Sequence, residues 1–337
     1  MTGTYDQIPE QALSWIQEGK QVALASVVET WGSAPRPVGS LLAITDQAEM
    51  AGSVSGGCVE GAVVAEAIDA FDDGACRVLE YGVSNDEAFA VGLACGGTIR
   101  IMVEPIGVGQ GPDVEMISQL VAARAERRPA VYAVRPDTWE RKLVTGPGDP
   151  LWTVATPRLA SDKSGFEGDW FLGLQNPPLK MIVVGAVHIA QALLPMARLA
   201  GYDAVLVDPR DAFAADHRFP GETIVKAWPD EALADLGLDT RTAVVTLTHD
   251  PKLDDPAIRA ALGSDVFYLG CLGSTKTHAK RRARLLEAGF SEAQIARIHA
   301  PVGLDIGAKS PAEIAISVMA EVTGRLRRPA TDAEAAA

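Results

Sequence analysis

Two short stretches gather the residue types that do chemistry. The first, Gly52-Ser53-Val54-Ser55-Gly56-Gly57-Cys58-Val59-Glu60, joins glycines, serines, a thiol and a carboxylate. The second, Ala94-Cys95-Gly96-Gly97-Thr98, repeats the pairing of glycine with a thiol. An apolar stripe at 59, 63, 64, 67, 68 and 71 predicts a helix directly after Cys58. Cys58 and Glu60 thus fall at a helix start, where orphan N–H groups and the helix dipole favour anions, thiolates included. Gly56 and Gly57 can bring backbone N–H groups close to a ligand, forming an anion nest to which Ser55 adds a hydroxyl. Cys95 sits on a loop entering an alternating, strand-like run at 98–104. Either cysteine alone reads as a buried structural thiol. The surroundings of Cys58 favour a functional one, and Cys58, Cys95 and Glu60 are the catalytic candidates here. Neither thiol has a second thiol or imidazole two to four residues away, so a structural zinc site is not expected.

The elements that must position these loops come next. Apolar runs at 21–29 and 41–45 predict strands, with TWGSAPRPVGS between them. Its prolines and glycines exclude regular structure. Arg36, between Pro35 and Pro37, is a stiffly presented cation suited to gripping an anion. It reads equally well as a solvated arginine in a hairpin connection. A short helix around 7–18, a helix at 114–127 and short strands at 130–134 and 142–145 complete a mixed α/β domain, residues 1–176. Cys76 lies in a strand-like run as a small core residue. The stretch 159–168 turns polar, and Asn176-Pro177-Pro178 marks the boundary.

Residues 177–328 alternate strand and helix, which predicts a Rossmann-like doubly wound parallel sheet. The run 179–184, a turn at Gly185-Ala186-Val187-His188, a helix and a strand closing on Asp208 form a βαβ unit. Gly185 and His188 then border a nucleotide turn, and Asp208 stands where an acidic residue reads a ribose. Val187 occupies the place of the second glycine, so the fingerprint is incomplete. His249, beside Asp250 at a strand's carboxyl end, is either a proton-transfer or ligand-orienting group or part of a capped loop. Gly273 and Ser274 precede a very basic helix at 276–286, which suits an anion at the helix start or a capped, solvated helix. Ser310-Pro311-Ala312-Glu313 announces a last helix with a capping box. Residues 329–337 are expected to form a flexible tail.

Composition narrows the classes. The 337-residue chain carries a net charge of −14, which argues against nucleic acid or an anionic membrane as partner. No apolar run has the length of a membrane span, and no basic-then-apolar leader opens the chain, so a cytoplasmic protein with reduced thiols is expected.

The motifs GSAPRPVGS, GSVSGGCVE, ACGG, GAVHIA, DPR, THD, LGCLGS and PVGLDIGAKSPAEIA cover nearly the whole chain. In wording and order they resemble the XdhC/CoxI family of maturation factors for molybdenum hydroxylases. The resemblance implies binding of the molybdenum cofactor, a molybdopterin with or without a nucleotide, as cargo. It further implies support of its sulfuration with a cysteine desulfurase, and insertion into an apo molybdenum hydroxylase of the xanthine dehydrogenase type. A maturation factor is expected rather than a turnover enzyme, with a homodimer by analogy. On this reading Cys58 and Cys95 contact the molybdenum, and Arg36, Ser55, Gly56, Gly57, Gly96 and Gly97 hold pterin or phosphate. Gly185, His188, Asp208, Gly273 and Ser274 are the binding candidates of the second domain. The chain departs from the family's frequent GAGH at Val187, and Pro251 replaces a second histidine after Asp250. The alternative is an NAD(P)-dependent oxidoreductase with Asp208 on the ribose and His249 as acid and base.

Overall fold

The structure, a computed structural model, describes residues 7–32, 34, 36–82 and 97–328. The chain divides into two compact units, one ending at Pro177 and the other starting at Pro178.

The N-terminal unit opens with α1 (Ile8–Gln17), β1 (Val22–Trp31), β2 (Leu41–Thr45), β3 (Met50–Gly52), α2 (Glu60–Asp73), β4 (Arg77–Tyr81) and β5 (Thr98–Pro105). The strands form one antiparallel sheet in the order β3-β2-β1-β5-β4. Strand residues alternate faces, so β1 feeds several clusters at once. Ala23, Ala25 and Val27 meet Val59, Val63, Ala67 and Phe71 of the α2 segment. Val22 and Leu24 meet Ile8 and Ala12 of α1 on the other side. Burial of Val22–Val28 on both faces explains why that part of β1 is apolar but for Ser26.

Then follow α3 (Val114–Ala125), β6 (Ala130–Val134), β7 (Arg141–Val144), α4 (Pro150–Ser161), β8 (Gly165–Glu167) and β9 (Trp170–Gln175). Their strands build a separate antiparallel sheet, β7-β6-β9-β8. The polar stretch 159–168 holds the end of α4 and strand β8. Helix α4 starts where the Asp149 carboxylate accepts from Leu151 N at 2.8 Å, and Pro150 occupies its first turn.

The C-terminal unit contains β10 (Leu179–Val184), α5 (His188–Leu199), β11 (Tyr202–Val207), β12 (Thr223–Val225), α6 (Pro229–Leu236), β13 (Thr242–Thr246), α7 (Pro251–Leu262), β14 (Tyr268–Cys271), α8 (Thr275–Glu287), α9 (Glu292–Ile295), β15 (Ile298–His299) and α10 (Pro311–Arg327). All pairings are parallel, in the order β12-β11-β10-β13-β14-β15. Met181 and Val183 face a core with α5 and α10, while Ile182 and Val184 face one with α6, α7 and α8. Apolar side chains thus cover both faces of the sheet, as the alternation of elements predicts. Helix α7 begins at Pro251 because Asp250 caps it, accepting from Lys252 N at 3.0 Å. The capping box of α10 forms as read from Ser310 and Glu313. Among the described residues, no helix is long and apolar enough to cross a membrane.

Candidate functional site

The loop before α2 is organised by Glu60. Its Oε1 accepts from Ser53 Oγ at 2.7 Å, Ser55 N at 2.9 Å and Val54 N at 3.2 Å. Its Oε2 accepts from Gly57 N at 2.9 Å and from the Ser55 hydroxyl. The serines tie the remaining turns: Gly56 N donates to Ser53 Oγ and Val59 N to Ser55 Oγ, each at 2.9 Å. Gly56 and Gly57 have φ of +72° and +108°, the left-handed region in which side chains are strained, and so permit this tight winding. Burial alone would push the Glu60 carboxyl up, but the Ser55 and Ser53 hydroxyls and the loop amides bring it down to about 2.

The backbone donors offered to an external anion at Ser55, Gly56 and Gly57 are occupied by Glu60 and Ser53. The nest is filled by a carboxylate of the chain itself. The loop instead presents Cys58, a half-buried free thiol that packs against the α2 core with one side. A Cβ built on Gly57 or Gly61 meets nothing within 4 Å, so space lies open beside the thiol's neighbours. Arg36 is brought to this loop, donating from Nε to Ser53 O at 3.3 Å. The proline-bracketed arginine and the Gly-Cys turn therefore meet.

Cys95 and Gly96 lie outside the described residues, and Gly97 is half-buried just before β5. The other two cysteines are buried. Cys76 accepts from Arg141 Nη2 at 3.1 Å, and burial pushes its thiol up to about 12. Burial raises Cys271 to about 11. Among the described residues no group of three His, Cys, Asp or Glu side chains is gathered as for a metal ion. Sequence reading missed a buried network beside Cys76. There Glu104 accepts from Tyr132 Oη at 2.9 Å and Arg141 Nε at 2.7 Å. A lone Glu inside an apolar strand run was its signal.

In the C-terminal unit, Gly185 has φ +113°, and a Cβ there would lie 2.4 Å from Thr248 Cγ2. Asp208 is fully buried, and both its oxygens already have partners. It accepts from Ala186 N at 2.8 Å, Arg210 N and Nε at 2.9 Å, and Arg210 Nη2 at 2.7 Å. Burial favours the neutral form, but Arg210 and these amides hold the carboxyl below its usual range. Val187 N is turned back onto Gly185 O at 2.9 Å. The first βα turn is thus closed on itself, with His188 exposed at the head of α5. His249 is exposed with φ +63°, and the Asp250 carboxylate caps α7. Ser274 caps α8, accepting from Thr277 N at 3.2 Å. Gly273, with φ +138°, lets that turn approach His249, whose Nδ1 would lie 3.7 Å from an added Cβ.

A unit carrying a braced Gly-Cys loop, joined to a six-stranded parallel α/β unit, defines the class. A family model described as the XdhC and CoxI family matches residues 15–82, and one described as the XdhC Rossmann domain matches 181–322. A protein of Escherichia coli K12, named molybdenum cofactor insertion chaperone PaoD, is 31% identical over 96% of this chain and 89% of its own length. A Bacillus subtilis protein, named as a probable subunit of xanthine dehydrogenase, is 26% identical over 94% of this chain and 96% of its own. A crystal structure described as a xanthine dehydrogenase from Bacillus halodurans shares the fold, with a TM-score of 0.73, 20% identity and 96% coverage of both chains. The chain belongs to the XdhC/CoxI family.

Proposed function

We propose that this chain is a chaperone for the molybdenum cofactor, which it binds as cargo and delivers to an apo molybdenum hydroxylase. The observation that carries the reading is the Glu60-braced loop, which holds a half-buried thiol beside open backbone and whose Ser53 carbonyl accepts from Arg36. The donor set fits the cargo. Molybdenum accepts thiolate sulfur, and the open face at Gly57 and Gly61 gives a bulky ligand access. Cys58 contacts or shields the metal, with Cys95 as the second thiol. The Arg36 guanidinium supplies positive charge for the pterin's phosphate. The E. coli relative's name as a cofactor insertion chaperone supports this role, and the B. subtilis relative's name supports a xanthine dehydrogenase-type client.

The finer reading adds partners. A cysteine desulfurase supplies the sulfur that replaces one oxo ligand while the cargo is held, and the chain works as a homodimer in the cytoplasm. The test is direct: load the chain with cofactor, and count pterin and molybdenum per chain for wild type, Cys58→Ala and Cys95→Ala. Then present each to apo-hydroxylase and desulfurase. Loss of retained cofactor in Cys58→Ala, with loss of reconstitution, is expected. Unchanged retention and transfer in both variants overturn the site.

A further inference from the structure

The chain has 44 acidic against 30 basic residues, yet α8 carries Lys276, Lys280, Arg281, Arg282 and Arg284 with Glu287 as its lone acid. Two of these charges are committed. Arg282 pairs with Glu292 at 2.6 Å, and Arg284 grips Asp255 with contacts of 2.6 and 2.9 Å. Lys276, Lys280 and Arg281 line a cavity of about 260 Å3 at the carboxyl ends of β13 and β14, together with Arg284, His249, Asp254 and Thr277. That end of a doubly wound sheet is where such folds take ligands.

Arg281 distinguishes this cavity from a solvated helix face. Its side chain is 2% exposed, and only Nη2 has a hydrogen-bond partner, Leu272 O at 3.0 Å. Its Nε and Nη1 are buried with no partner among the described residues. Asp254 does not satisfy them. Its Oδ1 is held by Thr248 Oγ1 at 2.6 Å, while its Oδ2 stands 3.8 Å from Arg281 Nη2, too far for a hydrogen bond, and also lacks a partner. A buried guanidinium with unmade hydrogen bonds is costly and calls for an acceptor. The first turn of α8 adds its own orphan N–H groups at the same end.

We propose that this cavity binds a phosphate group, a monoester or diphosphate of a small molecule. Arg281 and Lys280 hold the phosphoryl oxygens, and Lys276 and Thr277 close the rim. Asp254 Oδ2 provides the acceptor for a P–OH proton. That acceptor separates a phosphate from a sulfate, which carries no proton at neutral pH. The phosphate belongs to a free small molecule, because the chaperone reading gives the pterin's phosphate to Arg36 in the other unit.

The test uses the full chain without cargo, titrated calorimetrically with inorganic pyrophosphate at low salt. Wild type is expected to bind pyrophosphate stoichiometrically. The surface pair Lys276→Ala/Lys280→Ala, which leaves the core untouched, is expected to bind about tenfold or more weakly. Arg281→Gln, checked for folding by circular dichroism, is expected to lose binding. No binding by wild type, wild-type binding by the double lysine variant, or equal affinity for sulfate overturns the proposal. A second arm adds pyrophosphate to cofactor-loaded chain. Joint occupancy is expected, and displacement of the pterin by pyrophosphate overturns the assignment to a separate small molecule. The first arm contains no cofactor, so its failure is distinct from failure of the chaperone reading.

Discussion

Replacing Glu60 with Gln keeps the side chain's size and removes its charge. The native carboxylate receives the hydroxyls of Ser53 and Ser55 and the amides of Val54, Ser55 and Gly57. Against burial, which opposes ionisation, these donors hold it at about 2 where an ordinary glutamate sits at 4.5. At about 1.4 kcal/mol per pH unit, the displacement corresponds to about 3 kcal/mol carried by the charged form. Glu60 is 8% exposed, so solvent screening removes only part of this. A glutamine amide keeps one acceptor but sets an NH2 against Gly57 N or the Ser55 hydroxyl, donor against donor. The expected loss is about 2–3 kcal/mol in urea unfolding of the full chain at neutral pH. The Ser55 and Gly57 amides are expected to exchange with deuterium about 30-fold faster or more. Because the folded-state value is depressed, the stabilisation is complete above 4.5 and disappears as pH falls toward about 2. The gap between wild type and variant therefore closes over that window. Equal urea midpoints and equal exchange at neutral pH refute the claim that Glu60 braces the loop.

Three further outcomes follow from the same geometry. Glu104→Gln strips the ionic partner from Arg141 inside the N-terminal unit, and a loss of about 3 kcal/mol in chemical denaturation is expected; a change below about 1 kcal/mol contradicts the buried pairing. Asp208→Asn is expected to lower stability by about 1–2 kcal/mol in thermal unfolding, through Arg210 and Ala186, and to leave any response to NAD(H) unchanged. Selective loss of an NAD(H) response at full stability contradicts the structural role of Asp208. Brief alkylation with iodoacetamide at mildly alkaline pH, mapped by mass spectrometry, is expected to label Cys58 well before Cys76 and Cys271, whose thiols burial raises to about 12 and about 11. Equal labelling of all three thiols contradicts the burial pattern.

The second unit was legible because its fold depends on local signals. Continuous apolar strands, helical stripes and the Ser310 capping box each act over a few residues and point to one doubly wound sheet. Where reading failed, the decisive partner lay elsewhere. The sheet built by Ala130–Val134 and Trp170–Gln175 pairs strands across a helix whose start, Asp149-Pro150, is embedded in a Gly- and Pro-rich stretch and was not read as one. The ribose role of Asp208 followed from spacing alone, and spacing cannot show that Arg210, two residues on, already fills both oxygens. The basic helix was visible, but the unpartnered state of Arg281 depends on burial against α7 and the turn after β14.

Glu60 shows how position changes the chemistry of a residue type. Near a cysteine at a helix start, a carboxylate reads as a candidate proton carrier. Held at about 2, it stays ionised at neutral pH. It is then too weak a base to take a proton from a thiol and has no proton to donate. Its charge is committed to the amides of Ser55 and Gly57, and that commitment fixes the loop around Cys58. A sulfur or metal contact in this unit therefore depends on the thiol itself, with the winding of its loop set by Glu60.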